Sequence, residues 1–224
     1  MTDTVTPRIL CFGAGGHAAV VVDLLQLIQA RGEAELLGLV AEPGAETHVL
    51  GAPIVGSDAA LVSLATTLGA THFVVAIGTI RGGATLRMRL FEMGEAAGLL
   101  PFVAIHPTAV VSAHATIGPG SVVMAGAVLQ ARVHVGRNAI LNTRCSIDHD
   151  CIVEDHAHLA PGSVLSGGVR VGIAAHVGTG AAVMQNICIG SGATVAAGAT
   201  VVRNCAPYAT IAGTPARLVH AAQS

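Results

Sequence analysis

Between Ile105 and Val201 every sixth residue is aliphatic, sixteen steps in a row with no insertion and no polar intruder. The series runs Ile105, Val111, Ile117, Val123, Leu129, Val135 and onward through Ile189, Val195 and Val201. Four residues after each aliphatic the chain usually places a small one, among them Ala109, Ser121, Ala139, Cys145, Cys151, Ala175 and Ala199. Gly118, Gly136, Gly172, Gly178 and Gly190 directly follow their aliphatics. A helix repeats every 3.6 residues and a pleated strand every two, so neither produces this period. Short fixed periods belong to solenoids. One hexad supplies a short strand and a tight corner, and three hexads close a triangular coil of eighteen residues. Such coils stack at about 4.8 Å. The aliphatics then fill the prism, and roughly five coils are enough for a continuous core.

The pattern resembles the hexapeptide-repeat left-handed parallel β-helix. Composition agrees: the chain is 52% apolar but only 2% aromatic, with 28 Gly and no Trp. A narrow prism takes Val, Ile, Ala and Gly where a layered core takes rings. A formal charge of −2 offers no basic field for nucleic acid or anionic lipid. The five Cys show no CxxC spacing, and Cys145, Cys151 and Cys205 fall on inward repeat positions, which suits core thiols. Met1–Pro7 is polar, and no apolar run approaches the roughly 20 residues of a membrane span. The expectation is a cytoplasmic chain without a membrane span.

Ahead of the repeat, residues 8–12 read as a buried strand, followed by Gly13-Ala14-Gly15-Gly16-His17-Ala18 and an apolar helix from about Ala18 to Ala30. A glycine turn opening a helix presents backbone N–H groups and a positive dipole end to phosphate. Gly13-x-Gly15-x-x-Ala18 also matches the dinucleotide fingerprint, which leaves a nicotinamide cofactor as an alternative. A second strand spans Glu35–Val40, followed by a loop of Glu42, Pro43 and Gly44. Next come a helix over 57–69 with Ser57 or Asp58 near its N-cap, a strand over Thr71–Ile77 ending in Gly78, and a helix over Arg81–Gly98. This is half a dinucleotide-binding fold, a fair host for one nucleotide. The expected division is 1–102 as a Rossmann-like nucleotide-sugar-binding domain, 103–206 as the β-helix, and 207–224 as a cap and tail. Residues 218–224 are expected to fray.

The least repeat-like coil is Leu141–His158, which carries three His and four acids in a chain that is 11% charged. A structural coil needs none of them, so the chemistry is expected here. His149 sits between Asp148 and Asp150, in the third place of its hexad and on the flat outer face. A neighbouring carboxylate fixes an imidazole tautomer and favours imidazolium, as general-base work requires; a solvated surface His beside two acids is the alternative. His158 lies nine residues on, half a coil away, so the two can meet only across a cleft between two prisms. His176 lies eighteen beyond His158 and should stack on it. Gly167 lies eighteen beyond His149, where its N–H could donate to an oxyanion. Metal is not expected: the zinc carbonic anhydrase of this fold has a His-x4-His pair, and no two histidines here are five apart.

Gly13-Ala14-Gly15-Gly16-His17, Ala76-Ile77-Gly78, the hexads, Leu141-Asn142-Thr143, Ile147-Asp148-His149-Asp150-Cys151 and Ala212-Gly213-Thr214-Pro215-Ala216 together span nearly the whole chain. This combination resembles the PglD/PerB/NeuD family of acetyl-CoA-dependent acyltransferases acting on nucleotide-linked amino sugars. The resemblance implies a homotrimer with acetyl-CoA along the groove between prisms. It implies His149 as general base and Asp150 as the acid that raises its basicity. His158, Gly167, Thr179 and Ala197 would line the cofactor groove. Gly15, Gly16, His17, Glu42, Gly78 and Asn142 would hold the nucleotide sugar. The family often carries an acidic pair after its second strand where this chain reads Ala41-Glu42, which leaves the nucleotide base open. The expected reaction is acetylation of a sugar amine at C4, with O-acetylation of sialic acid or another sugar hydroxyl as the alternative. A non-enzymatic scaffold would leave the His- and acid-rich coil unexplained.

Overall fold

A computed structural model of the chain describes residues 6–42, 44, 46–78 and 84–221. Pro43 of the expected loop and Arg81, expected to open the third helix, lie outside the described residues. The chain divides into two compact units, residues 6–78 with 86–107, and residues 84–85 with 108–221.

The first unit is built on strands β1 (Arg8–Phe12), β2 (Glu35–Val40), β3 (His48–Val49), β4 (Ala52–Gly56), β5 (His72–Val75) and β6 (Leu100–Pro101). They form one sheet in the order β3-β4-β2-β1-β5-β6, parallel except for β3 against β4. Central β1 is buried from Ile9 to Phe12, as a parallel strand covered on both faces must be. Helix α1 (Gly16–Ala30) buries Ala18, Val21, Val22, Leu25 and Ile28, a stripe at three- and four-residue spacing. Helices α2 (Leu61–Leu68) and α3 (Thr85–Ala96) complete the unit. Three of the chain's four Phe meet in this layered core: Phe12 stacks on Phe73 at 5.2 Å, and Phe73 meets Phe91 edge-on at 5.3 Å. Rings are thus concentrated where layers pack.

Six strands stand where the sequence pattern suggested three. The additional β3, β4 and β6 are two to five residues long and two of them contain proline, so they show no alternation to read. The helix expected over 57–69 opens as a 3-10 turn, Asp58–Ala60, and Ser57 precedes it without a side-chain capping bond.

In the second unit sixteen two-residue strands run from Val110–Val111 to Thr200–Val201, and each ends on one of the sixth-position aliphatics. As far as Ala182–Val183, each strand pairs in parallel with the strand eighteen residues on, as in Ile140↔His158 and His158↔His176. Three flat faces result. The first contains Ile140–Leu141 and His158–Leu159, the second Ser146–Ile147 and Val164–Leu165, the third His134–Val135 and Ile152–Val153. From Val123 to Val201 every sixth-position aliphatic is buried. Val111 and Ile117 are half-buried because the first coil has a neighbour on one side only, and Ile105 falls in the first unit with 38% of its surface exposed.

At the corners from Gly120 to Gly198 the third residue after the aliphatic has a left-handed backbone. Gly126, Arg132, Asn138, Arg144, Asp150, His156, Gly162 and Gly168 all hold φ between 49° and 70°. Corner and strand therefore share out the hexad strictly, and the third place belongs to the turn. His149 consequently lies in a corner and not on the flat face that the sequence pattern suggested.

After Val201 the six-residue rule stops, as expected. Thr210–Ala212 pairs in parallel with Thr194–Val195, sixteen residues on instead of eighteen. Residues 217–220 do not fray: Arg217–His220 returns antiparallel along Thr210–Ala212. The hairpin is anchored by Thr200 N–H donating to Gly213 O at 3.0 Å and Ala216 N–H to Thr200 O at 2.8 Å, which satisfies the last edge of the stack. Cys145, Cys151 and Cys205 are buried thiols, Cys11 is buried in the first unit, and Cys188 is exposed.

Val153 is fully buried in the prism, so Val153→Ala should cost about 2 kcal/mol of stability. Val62, 66% exposed on α2, should change stability by less than about 0.5 kcal/mol when replaced by Ala. Chemical denaturation of the two variants checks the contrast.

Candidate active site

The turn between Ser146–Ile147 and Ile152–Val153 consists of Asp148, His149 and Asp150. Asp148 Oδ1 accepts the His149 N–H at 2.8 Å, which pins the start of the turn. Asp150 takes the left-handed corner conformation, φ 60°, a region where Asp is tolerated better than most residues. From there its Oδ2 lies 2.7 Å from His149 Nδ1. Arg132 occupies the same corner one coil earlier and grips Asp150 with both arms, Nε to Oδ1 at 2.6 Å and Nη2 to Oδ2 at 2.8 Å. Arg132 first, and then His149, hold the Asp150 carboxyl well below the usual carboxylate range.

Gly167 lies in the next coil. A Cβ there would stand 2.6 Å from Cε1 and 2.7 Å from Nε2 of His149, so only glycine leaves room for the ring. Gly168 N–H donates to His149 O at 2.9 Å, and Gly167 O accepts from Asn186 N–H at 3.0 Å. These contacts tie three coils together around an open cavity of about 440 Å³, lined by the 148–150 turn, Ser166, Gly167, Gly168, Gln185 and Asn186. The imidazole is more than half exposed into it. An ionised carboxylate on Nδ1 leaves Nε2 as the nitrogen available for proton transfer, the geometry of a general base.

His149, Asp150 and Gly167 thus come together at the corner between the second and third faces. His158, Asn142, Thr179 and Ala197 do not join them; they belong to the first face and the corner that follows it. His158 is buried and stacks edge-on with His176, ring centroids 4.8 Å apart, as the eighteen-residue offset suggested. Asn142 directs Nδ2 toward His158 Nε2 at 3.4 Å while its Oδ1 takes the Thr143 N–H at 2.8 Å. Thr179 O accepts the Gly198 N–H at 2.8 Å, which sets Thr179 and Ala197 one above the other on the exposed edge.

In the first unit, Gly15, Gly16, His17, Glu42 and Gly78 gather beyond the carboxyl ends of β1, β2 and β5. The chain leaves β1 toward β2 on one side and reaches β5 on the other, so β1 and β5 flank a switch point, the usual ligand crevice of an open parallel sheet. Gly15 precedes α1 without a side-chain cap, and space is open at Gly15 and Gly16. His17 and Arg87 face one another across the unit. Burial, and then the Arg87 charge, push His17 down to about 4, and burial lowers Arg87 to about 10.

The sequence pattern passed over Arg132, Ser166, Gly168, Gln185 and Asn186. The eighteen-residue offset was the available signal: Arg132, Gly168 and Asn186 lie one coil before, one after and two after Asp150. For Arg87 beside His17 no sequence signal exists, since tertiary packing alone joins α1 and α3. Among the described residues no group of three or more His, Cys, Asp or Glu could hold a metal ion, and no helix is long and apolar enough to cross a membrane.

Comparison with known proteins places these features in context. The family model for the PglD N-terminal domain matches residues 8–93. A His→Ala variant of GDP-perosamine N-acetyltransferase from Caulobacter crescentus, crystallised with CoA and GDP-perosamine, superposes with a TM-score of 0.87 at 37% identity; the match covers 97% of this chain and 99% of that one. PerB from Caulobacter crescentus, in complex with CoA and GDP-perosamine, gives 0.84 at 37% identity over 96% and 99%. The acetyltransferase domain of PglB from Neisseria gonorrhoeae, in complex with acetyl coenzyme A, gives 0.87 at 36% identity over 96% and 100%.

His17 generates a prediction of its own. An unfolded His takes up its proton near pH 6.5, whereas His17 in the fold resists until about pH 4. Stability should therefore fall as pH drops from about 6.5 toward 4, by about 2 kcal/mol at pH 5 relative to pH 7. His17→Gln should flatten that slope, as read by thermal melts across the range.

Proposed function

The chain belongs to the PglD/PerB-type hexapeptide-repeat sugar N-acetyltransferases, and from that premise we propose that it moves acetyl from acetyl-CoA to the amine of a nucleotide-linked amino-deoxy sugar. The amine at C4 is the acceptor in this reading. The observation that carries it is the His149–Asp150 pair, 2.7 Å apart, presented at an open cavity.

The sugar nitrogen attacks the thioester carbonyl carbon while His149 Nε2 takes its proton. Asp150 holds the other side of the ring and balances the imidazolium. The tetrahedral oxyanion needs a donor, and the Gly167 N–H, which is given to no other acceptor in the described hydrogen bonds, would supply it from the next coil. The carbon–sulfur bond then breaks, and the imidazolium returns its proton to the CoA thiolate. The products are the acetamido sugar and free CoA.

In the first unit, Gly15, Gly16 and His17 at the opening of α1 would take the nucleotide's phosphates, with Glu42 and Gly78 beside them. Asn142 keeps a proposed sugar contact, although its side chain serves His158 here. His158, Thr179 and Ala197 would line the pantetheine path.

Those three lie on the first face and its corner, away from the His149 corner of the same prism. One groove can contain both sets only if two copies share it, and this supports the trimer. The outward positions of the second face, Val110, Val128, Ser146, Val164, Ala182 and Thr200, carry no charge, and Val110 and Val164 are exposed apolar residues suited to such a seam. Both substrates are cytoplasmic metabolites, so this reading also carries a cytoplasmic location.

Release of CoA thiol in the presence of acetyl-CoA and a panel of nucleotide sugars tests the proposal. Amino sugars should turn over and their hydroxyl counterparts should not; acetylation confined to hydroxyl sugars would replace the N-acetyl reading with the O-acetyl one. His149→Ala should lower the rate on the order of 10²- to 10⁴-fold with the melting temperature preserved. Gly167→Ala should have a similar effect by displacing the ring. A His149→Ala variant with near-normal turnover would remove His149 from the mechanism.

A further inference from the structure

Arg132 belongs to none of the groups assigned so far. We propose that it is a positioning residue, which fixes the tautomer and sets the proton affinity of His149 by holding Asp150 from the preceding coil. This deepens the reading of His149 as the base and rests on it.

The geometry carries the first half. Arg132 Nε meets Oδ1 at 2.6 Å and Nη2 meets Oδ2 at 2.8 Å, so the guanidinium fork fixes the plane of the carboxylate. The oxygen shared with Nη2 is the one that faces His149 Nδ1. A carboxylate paired with a guanidinium stays ionised and can only accept, so Nδ1 carries the ring proton and Nε2 keeps its lone pair. Without the fork, Asp150 would be a short flexible side chain beside solvent, free to turn away.

Charge carries the second half. A lone carboxylate beside an imidazole favours the protonated ring. Arg132 offsets that charge through the same carboxylate. The other groups around the ring do not duplicate it. On its own turn are Asp148 and Asp150; the following coil supplies Ser166, Gly167 and Gly168, and the one beyond supplies Gln185 and Asn186. Cys151 turns its thiol inward to the Ser166 carbonyl, and burial keeps it protonated. Arg132 is the cation in this set.

Its side chain is 65% exposed, so the ion pair adds little to stability and its removal should leave the coil folded. The experiment compares the full-length protein with Arg132→Met and Arg132→Lys. Imidazole ¹⁵N resonances of His149, assigned with His149→Gln, are titrated without substrates, and the pH profile of acetyl transfer is recorded alongside. In Arg132→Met the His149 midpoint should rise on the order of one pH unit, the Nδ1–H tautomer should lose its dominance, and the acid limb of kcat/KM should move up with the midpoint. Arg132→Lys should restore the midpoint but not the full rate, since one ammonium cannot hold both oxygens. An unchanged midpoint and tautomer in Arg132→Met would overturn the proposal whatever the activity. A midpoint that moves while the acid limb stays put would uphold the coupling and instead remove His149 as the base.

Discussion

The eighteen-residue offset between stacked strands is the constraint on which the second unit depends. Each strand is only two residues long and gains its hydrogen bonds entirely from the coils before and after it. Ile140 N–H, for instance, donates to Ala157 O at 2.9 Å. A single coil has no satisfied backbone of its own, so the stack forms cooperatively and in one register. An inserted residue would rotate every later aliphatic out of the prism. The small residues belong to the same requirement: a Cβ on Gly172 would lie 2.5 Å from the Ser191 backbone nitrogen in the next coil.

That register also builds the chemistry. Residues eighteen apart become neighbours along an edge, so a corner is a column of side chains running across coils. Arg132, Asp150, Gly168 and Asn186 make one such column, and Asn138 over His156 belongs to another, with Nδ2 and Nδ1 3.0 Å apart. Glycine takes the left-handed corner at no steric cost and Asp150 tolerates it, whereas Arg132 adopts it against a penalty of about 1 kcal/mol or more. Non-glycine corners recur along the prism, so what sets this pair apart is the forked ion pair that joins them.

How much of this could be read in advance follows from which period governs each part. In the β-helix the period is exact over sixteen steps, so strands, inward residues and the place where the rule stops were legible, and Gly167 was found from His149 by adding eighteen. The left-handed corner is equally present, in Gly120, Gly126, Gly162 and Gly168, but it falls on a third position that neither the aliphatics nor the glycines directly after them mark. The aliphatic period alone therefore puts His149 on a face. In the first unit no single period applies. β1, β2, β5 and the helices announce themselves by length and apolarity. The short edge strands β3, β4 and β6 exist because the sheet offers them partners, and Arg87 meets His17 only through packing.

The distribution of charge separates what holds the fold from what serves the site. Inside the prism there is none, and the aliphatic column accounts for its stability. At the edge, Arg132 and Asp150 are both substantially exposed, where ion pairs are screened and their net effect on folding is small. Such a pair matters through geometry. Asp150 lies beside His149 in sequence, and adjacent residues on a turn have no fixed relation between their side-chain planes. Arg132 comes from another coil, whose position the backbone ladder sets. The carboxylate, held by that distant arm, transmits the rigidity of the stack to a ring that itself must stay open to solvent and substrate. The repeat therefore does more than display the imidazole: its register determines which nitrogen the imidazole offers.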